Sequence, residues 1–452
     1  MSTARRLQNK GAWGERHRPY LCVKVDSIPV ALLKRKWSTP QTFRALQHRN
    51  YRLLWLGQTG HSASLWMDQV ARAVLILELT DSALMLSLVI AARLVPILLF
   101  GLIAGVVADR SDRKRVLFTT QMVTFGTHLF LGVMVTVNLI ETWHVFATAL
   151  VAGTAMAFNQ PVRQSLIPMT VPREDLSNAV ALNSLALSVM RVGGGSLAGA
   201  LLIFLSTGGV YLVNACIYAL VILSTSAIRL PPREAPAGDR PGLFADLGEG
   251  FSYVARNPNL GVIAGLSLVL FVFGFPYQQV FVPLLATDVL DLGSSGVGFL
   301  AGATGVGAVA GTLFVASRSQ IARPGMQLFI NLFVFGAALV AISLQATVEG
   351  TALLLGVAGS MTVTYMALTN TILLENSAPE MHGRVMSLLS LDRGLIPLGA
   401  ILAGVLASGL GTRPAIFAMG GLVLVLAALA FAVAGRRVLR IRSEPAVVEA
   451  EA

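Results

Sequence analysis

Charge is scarce in this sequence: 13% of its 452 residues are Asp, Glu, Lys or Arg, against about 25% in a soluble domain. Cysteine is scarcer still. The two copies, Cys22 in a basic stretch and Cys216 in an apolar one, exclude a disulfide framework. The six histidines (His17, His48, His61, His128, His144 and His382) have no metal-ligand spacing, and no nucleophile has a base beside it. No metal, no cofactor and no catalytic centre are therefore expected. The glycine run Gly302-Ala303-Thr304-Gly305-Val306-Gly307 lacks the lysine that a phosphate-binding loop requires. Within the first 40 residues no apolar core is long enough for a cleavable signal peptide.

What fills the chain instead is apolar, with 55% hydrophobic residues and a mean hydropathy of +0.71. Apolar stretches bounded by Gly, Pro, Asn or charge run over 51–77, 84–108, 115–137, 144–168, 178–205, 210–229, 260–286, 295–317, 325–345, 351–374, 387–408 and 414–434. As helices most of these span about 30 Å, the thickness of a hydrocarbon core, where a lipid-exposed helix pairs its backbone polar groups within its own segment. The expected fold class is an all-α polytopic membrane protein with 12 transmembrane helices.

The net charge of +11 lies in alternate short loops and a basic amino-terminal stretch, which argues for membrane orientation and anionic lipid partners rather than nucleic acid. One set of loops holds Arg110, Arg113, Lys114 and Arg115; Arg163 and Arg173; Arg233, Arg240 and Arg256; Arg318 and Arg323; and Arg384. The opposite set holds Glu78, Asp81, Glu141, Asp288, Asp291 and Glu349, with Arg413 as its lone base. Short basic loops stay in the cytoplasm. A multi-pass protein of the plasma (inner) membrane with both termini cytoplasmic is expected.

The stretch 231–256 is richer in Pro and charge, and Phe244 to Tyr253 within it reads as a short amphipathic surface helix. It divides the chain into a basic tail 1–49, a six-helix bundle 50–230, the linker, a second bundle 257–435 and a tail 436–452. A misassigned start codon is the alternative reading of the first 40 or so residues. The bundles echo each other at a spacing of about 207 residues: Asn50-Tyr51-Arg52-Leu53 against Asn257-Pro258-Asn259-Leu260, Gly105 against Gly311, and Val171-Pro172-Arg173-Glu174-Asp175 against Ala378-Pro379-Glu380-Met381-His382. Duplication of this kind generally sets the binding site at the repeat interface near the bilayer midplane.

Between the second and third stretches stands Gly105-Val106-Val107-Ala108-Asp109-Arg110-Ser111-Asp112-Arg113-Lys114-Arg115. This resembles the cytoplasmic signature of the major facilitator superfamily, with Asp112 where Gly or Ser is usual. A narrower similarity, to the branch of the bacterial enterobactin exporters, is carried by Asn50-Tyr51-Arg52-Leu53-Leu54-Trp55-Leu56-Gly57-Gln58, by Phe158-Asn159-Gln160-Pro161-Val162-Arg163-Gln164-Ser165-Leu166-Ile167-Pro168 and by Gly383-Arg384-Val385-Met386. It covers about residues 43 to 435. The resemblance implies two pseudo-symmetric six-helix bundles around a cavity, acting as a monomer, and export of siderophore-like, drug-like or other amphiphilic small molecules by alternating access. It also implies that the signature loop latches the halves, with Asp109 meeting Asp392 and Arg393. Two departures bear on proton antiport: the arginine of the fourth span in many proton-coupled drug exporters is absent, and Gly193-Gly194-Gly195-Ser196 stands where that pattern has Gly-Pro. An importer or facilitator, or a sensor or scaffold of the same fold, are the alternatives; a scaffold would tolerate Asp109 substitution.

A charge at the bilayer centre costs about 2.5–3.5 kcal/mol on insertion scales, so each one calls for a partner or a task. Asp68, Arg72, Arg93 and Arg191 are the four. Asp68 and Arg93 fall at similar depth on adjacent stretches, and Arg72 follows Asp68 at i+4. Asp68 either exchanges a proton while Arg93 or Arg191 responds, or forms a static ion pair; Arg191 alternatively attracts an anionic substrate. Gln58, Gln69, Asn159, Asn183, Tyr277, Gln278, Gln279, Tyr365 and Asn370 are cavity-lining candidates, with hydrogen bonding between helices as the plainer alternative. The glycines of 302–311 and 193–199 are expected to permit close helix packing.

Overall fold

The structure is a computed structural model that describes residues 41–229, 252, 257–317, 323–377 and 394–438. The expected surface helix at 244–253 apart from Ser252, the linker 231–256 apart from that residue, both tails, His382, Arg384, Asp392 and Arg393 lie outside the described residues, as do the side chains of Gly105, Asp109 and Arg110.

Among the described residues, twelve helices follow a 3-10 turn over Gln41–Gln47. The first six are α1 (Arg49–Thr80), α2 (Ala83–Arg110), α3 (Arg113–Thr136), α4 (Thr142–Leu166), α5 (Leu176–Phe204) and α6 (Thr207–Ser226). The second six are α7 (258–289), α8 (Gly293–Ala316), α9 (Pro324–Leu344), α10 (Val348–Glu375), α11 (Ile396–Leu410) and α12 (Thr412–Val438). Among the described residues, ten helical segments are long and apolar enough to cross a membrane; α1 is not counted among them, and α11 is described over 15 residues. Leu220, Leu353 and Val433 are at least 66% exposed, an apolar surface that suits lipid and would be costly in water.

Local chemistry sets the helix ends. Ser82 caps α2 by accepting from the Met85 amide at 3.3 Å, and Asp112 caps α3 by accepting from the Lys114 and Arg115 amides at 3.0 and 3.2 Å. Asp81, Asn138 and Asp291 take positive φ at tight turns, where short polar side chains are tolerated. The expected regular span over 260–286 is interrupted: α7 carries π-helical turns at Leu270–Gly274, Tyr277–Phe281 and Leu285–Val289. Pro276 and Pro283 have no N–H to donate, and the ladder shifts to bonds five residues back, Phe275 N–H to Leu270 O at 2.7 Å and Leu290 N–H to Leu285 O at 2.9 Å.

The two sets of six pack by one scheme. In the first, α2 lies on α4, α3 on α6 and α4, and α1 on α5 and α6. The second repeats this with α8 on α10, α9 on α12 and α10, and α7 on α12. Between the sets, α5 packs on α8 and α2 on α11, pairs that exchange under the same correspondence. Small residues make this possible. Gly199 and Gly298 touch backbone to backbone, Gly305 meets Val192, and Gly404 sits on Ser87. Within the second set, Gly307 and Gly311 lie against the backbones of Gly356 and Ser360.

Taking the end that carries Glu78 and Asp288 as the outer one, the approaches of Gly199 to Gly298 and of Gly404 to Ser87 fall in the outer half of the helices. Glu78 adds a polar tie there, accepting from Thr207 of α6 at 2.9 Å and from Ser294 of α8 at 3.1 Å.

Candidate functional site

Asp68 lies on the face of α1 turned into the first bundle and is 1% exposed. Three cations or potential cations reach it from three helices: Arg72 Nη2 at 2.9 Å on α1 itself, Arg93 Nη1 on α2 at 2.5 Å, and His128 Nε2 on α3 at 3.6 Å. The i+4 spacing makes the first contact automatic. Arg72, 4% exposed, is itself held by the Val145 carbonyl at 3.2 Å and Thr148 Oγ1 at 3.1 Å, both on α4. Asp68 thus pairs at once with Arg72 on its own helix and with Arg93 on the next.

Arg93 has a second face. With Arg72, Trp66, Gln69, Met156 and Gln279 it lines a cavity of about 180 Å³ at the contact of the first bundle with α7. A smaller recess of about 20 Å³ adjoins it, sharing Trp66, Gln69 and Gln279 and adding Arg191, Gln278 and Pro283. The Arg191 guanidinium stands 5.4 Å from the centroid of the Trp66 ring, within reach of a cation–π attraction. A larger opening of about 700 Å³ at the outer rim is lined by Asp81, Asp288, Thr412 and Arg413; it is far from the buried charges.

The other candidates divide. Gln69, Gln278 and Gln279 border the cavity or its recess. Gln58 donates within α1 to Ser62 at 2.9 Å, and Asn159 donates to Thr120 at 3.0 Å, both inside the first bundle. Tyr277 is 2% exposed and packs edge-on against Phe335, and Tyr365 is buried at 1%. Asn183 and Asn370 are half-buried and border neither space. Arg163, assigned from sequence to a basic loop, lies instead in the last turn of α4 at 3% exposure, its Nε on Asn159 Oδ1 at 3.3 Å. The helix continues through Pro161, so the fourth span does hold a buried arginine near its inner end.

The signature loop binds its own half among the described residues. Lys114 Nζ donates to the Ser226 and Ile228 carbonyls at 2.8 and 2.6 Å, neutralising the carbonyl end of α6. Arg113 Nη1 reaches Met169 Sδ at 3.1 Å, and Arg115 Nε lies 3.3 Å from Asp112. The run at 171–178 has a comparable task. Asp175 holds Arg44 at 2.9 Å and His48 at 2.8 Å, Asn178 accepts from the Ala45 amide at 2.9 Å, and Tyr51 donates to Ala179 O at 2.7 Å.

Sequence reasoning missed the remainder of this interior. His128 stacks beside Tyr218 and Tyr211 with ring centroids 5.3 and 6.0 Å away, and Tyr218 Oη pairs with His61 Nδ1 at 2.7 Å. The signal was present as a stripe on α1, Gly57, His61, Ser64, Asp68 and Arg72, whose three- and four-residue steps share one helical face.

The profile of the family described as "Transmembrane secretion effector" matches residues 40–445. The staphyloferrin A transporter of Staphylococcus aureus is 25% identical over 76% of this chain and 86% of its own length. Macrolide efflux protein A of Streptococcus pyogenes is 21% identical over 84% and 96%, and the enterobactin exporter of Shigella boydii 28% identical over 63% and 67%. Among solved structures, a bacterial homolog of the human lysosomal transporter Spinster, inward-facing and occupied, superposes with a TM-score of 0.68 at 18% identity, covering 88% of this chain and 99% of that one. A peptide transporter in complex with sulfate gives 0.70 at 12%, covering 90% and 100%. These last two share the major facilitator fold.

Proposed function

Because the chain belongs to the transmembrane secretion effector family of major facilitator transporters, we propose that it exports siderophore-like, drug-like or other amphiphilic small molecules across the inner membrane, exchanging a proton at Asp68. Both termini are cytoplasmic in this reading, a single chain is the working unit, and the bundles 50–230 and 257–435 rock about the cavity between them. The named relatives that carry macrolides, staphyloferrin A and enterobactin support export and the substrate class.

One observation carries the coupling: Arg93 pairs with the buried Asp68 and at the same time walls the cavity. A buried carboxylate between two guanidinium groups stays ionised, because losing the charge would strand both cations. Protonation cancels the attraction that holds Arg93 inward, an attraction strong at low dielectric, and releases the guanidinium toward the cavity. Departure of the proton draws it back. Substrate and proton thereby act on one side chain, which gives alternating access its energy source without ATP.

Asp68→Asn tests this. Reconstituted protein is assayed with ethidium and with a panel of siderophores, with and without a pH gradient. Loss of gradient-driven transport, with downhill exchange retained, is expected. Full gradient dependence in the variant returns Asp68 to a static ion pair. Arg191 over Trp66 beside Gln278 favours a second reading of the recess as the seat of a planar anionic portion of the substrate; Arg191→Gln then weakens anionic compounds more than neutral ones.

A further inference from the structure

The interior of the first bundle contains more polar groups than its own atoms satisfy. Three stripes converge there: His61, Ser64 and Asp68 on α1; Gln121 and His128, two turns apart on α3; and Tyr211, Asn214 and Tyr218 on α6. The three helices pack on one another as α1 on α6 and α3 on α6, and all eight side chains are at most 4% exposed. Yet His61 Nε2, Ser64 Oγ, both amide atoms of Gln121, His128 Nδ1 and both amide atoms of Asn214 have no hydrogen-bond partner among the described residues. Buried polar atoms are almost always paired, and where protein supplies no partner ordered water does, each molecule making about three bonds.

We infer that this interior is a hydrated pocket, separate from the cavity between the bundles, whose water and His128 receive the proton that leaves Asp68. The geometry favours His128 as first acceptor. Its Nε2 faces Asp68 Oδ1 at 3.6 Å, and its Nδ1 is turned to the unsatisfied group of α1, α3 and α6. The proton leaves the Asp68 carboxyl, which becomes carboxylate, and bonds to Nε2; beyond it stand Tyr218 and His61, joined at 2.7 Å. The other charged groups facing this path are Arg72 and Arg93 around Asp68, Tyr211 beside His128, and Arg163 at the inner end, whose Nη1 would lie 3.6 Å from a Cβ on Gly57. The fixed positive charge of Arg163 opposes passage of an excess proton to the inner face. Hence the pocket holds the proton only in passing: it returns from His128 through Asp68 to the cavity, and no leak to the inner face opens. The hand-off rests on the reading of Asp68 given above; the hydration does not.

Brief X-ray radiolysis turns water into hydroxyl radicals that mark side chains beside it. Applied to the full chain in lipid nanodiscs, it is expected to oxidise Tyr218, Tyr211 and His128 at rates comparable with exposed Trp143, while Tyr277 of the second bundle, equally buried, stays unmarked. Absence of marking at Tyr218 and His128 overturns the pocket whatever Asp68 does. Asn214→Leu separates the two spaces: Tyr218 marking falls at least fivefold and Trp66 marking in the cavity holds, whereas a joint fall makes the water an extension of the cavity. For the hand-off, His128→Asn keeps a hydrogen-bonding amide near the position of one ring nitrogen but cannot take up the proton. Its pH profile of gradient-driven transport is expected to shift by at least one unit. A profile lowered evenly at all pH assigns His128 to packing, and gradient dependence surviving in Asp68→Asn sinks the coupling reading while leaving the marking result intact.

Discussion

The first six helices and the last six share a packing scheme but not an interior. Among the described residues, the first set buries Asp68, Arg72, Arg163, Asp175, His61 and His128, while the second buries no charged side chain and fills its centre with Leu, Ile, Phe and Ala, with Asn331 and several Ser and Thr as its polar groups. The offset that sets Asn257 on Asn50 sets Phe275 on Asp68 and Gln279 on Arg72. At the counterpart that lines the cavity a polar residue remains; at the counterpart of Asp68 an aromatic one packs tilted against Phe271. The scaffold is present twice, and a buried charge is costly enough that one copy suffices to carry it. The second set contributes instead a wall interrupted by the π-helical turns of α7.

The largest break in this comparison is expected at Arg72. Arg72→Ala leaves the Asp68–Arg93 pair with a cavity and a lost partner, and removing one member of a buried ionic cluster costs about 3–5 kcal/mol. Gln279→Ala, its counterpart at the cavity edge, costs less than about 1 kcal/mol. Thermal unfolding of both variants in detergent reads the difference. Equal losses would mean that the polar interior of the first set has no special energetic standing.

Next in size is the contact between the sets. Gly298→Leu forces a side chain into the backbone of Gly199, and overpacking of this kind costs about 1–3 kcal/mol. The penalty applies to the arrangement in which these ends meet, because α5 and α8 belong to different bundles. Populations therefore shift by roughly fivefold to a hundredfold toward an outer-open form, read as faster maleimide labelling from outside of a cysteine placed at Gln69. Gly311→Leu serves as the contrast. It meets Ser360 within one bundle, so it lowers thermal stability without changing the labelling.

Much of this asymmetry was legible before any coordinates. The count of apolar stretches, the i+4 relation of Asp68 to Arg72 and the matching depth of Arg93 all follow from helical geometry, which sequence spacing encodes directly. His128 was not legible as a partner, because a lone histidine in an apolar helix reads the same whether it packs or pairs; the stripes on α1 and α6 that point at it emerge only once those helices face each other. Lys114 and Asp175 illustrate a second limit. Their partners are backbone carbonyls or residues more than 100 positions away, and a carbonyl has no sequence signature. Arg163 was counted with the loop bases although the apolar stretch 144–168 encloses it; proline inside a membrane helix is tolerated when neighbours compensate, and α4 runs through Pro161 to carry it. The π-helical turns of α7 likewise depend on how the chain repairs its ladder around Pro276 and Pro283.

The smallest expected effect tests whether the outer seal is one contact or two. Glu78 accepts from Thr207 in its own bundle and from Ser294 in the other, so only the second bond opposes separation of the bundles. Glu78 is exposed, and a single bond of that kind is worth about 1 kcal/mol, or roughly a fivefold change in population. Glu78→Ala should accordingly speed outside labelling at Gln69→Cys about fivefold, less than Gly298→Leu does. Glu78→Gln should leave it unchanged, since an amide oxygen still accepts from a hydroxyl, and the amide hydrogens can donate to the other. If the alanine variant labels at the parent rate, the glycine contact of α5 with α8 holds the outer side alone, and the polar tie serves only to fix the end of α1 against α6.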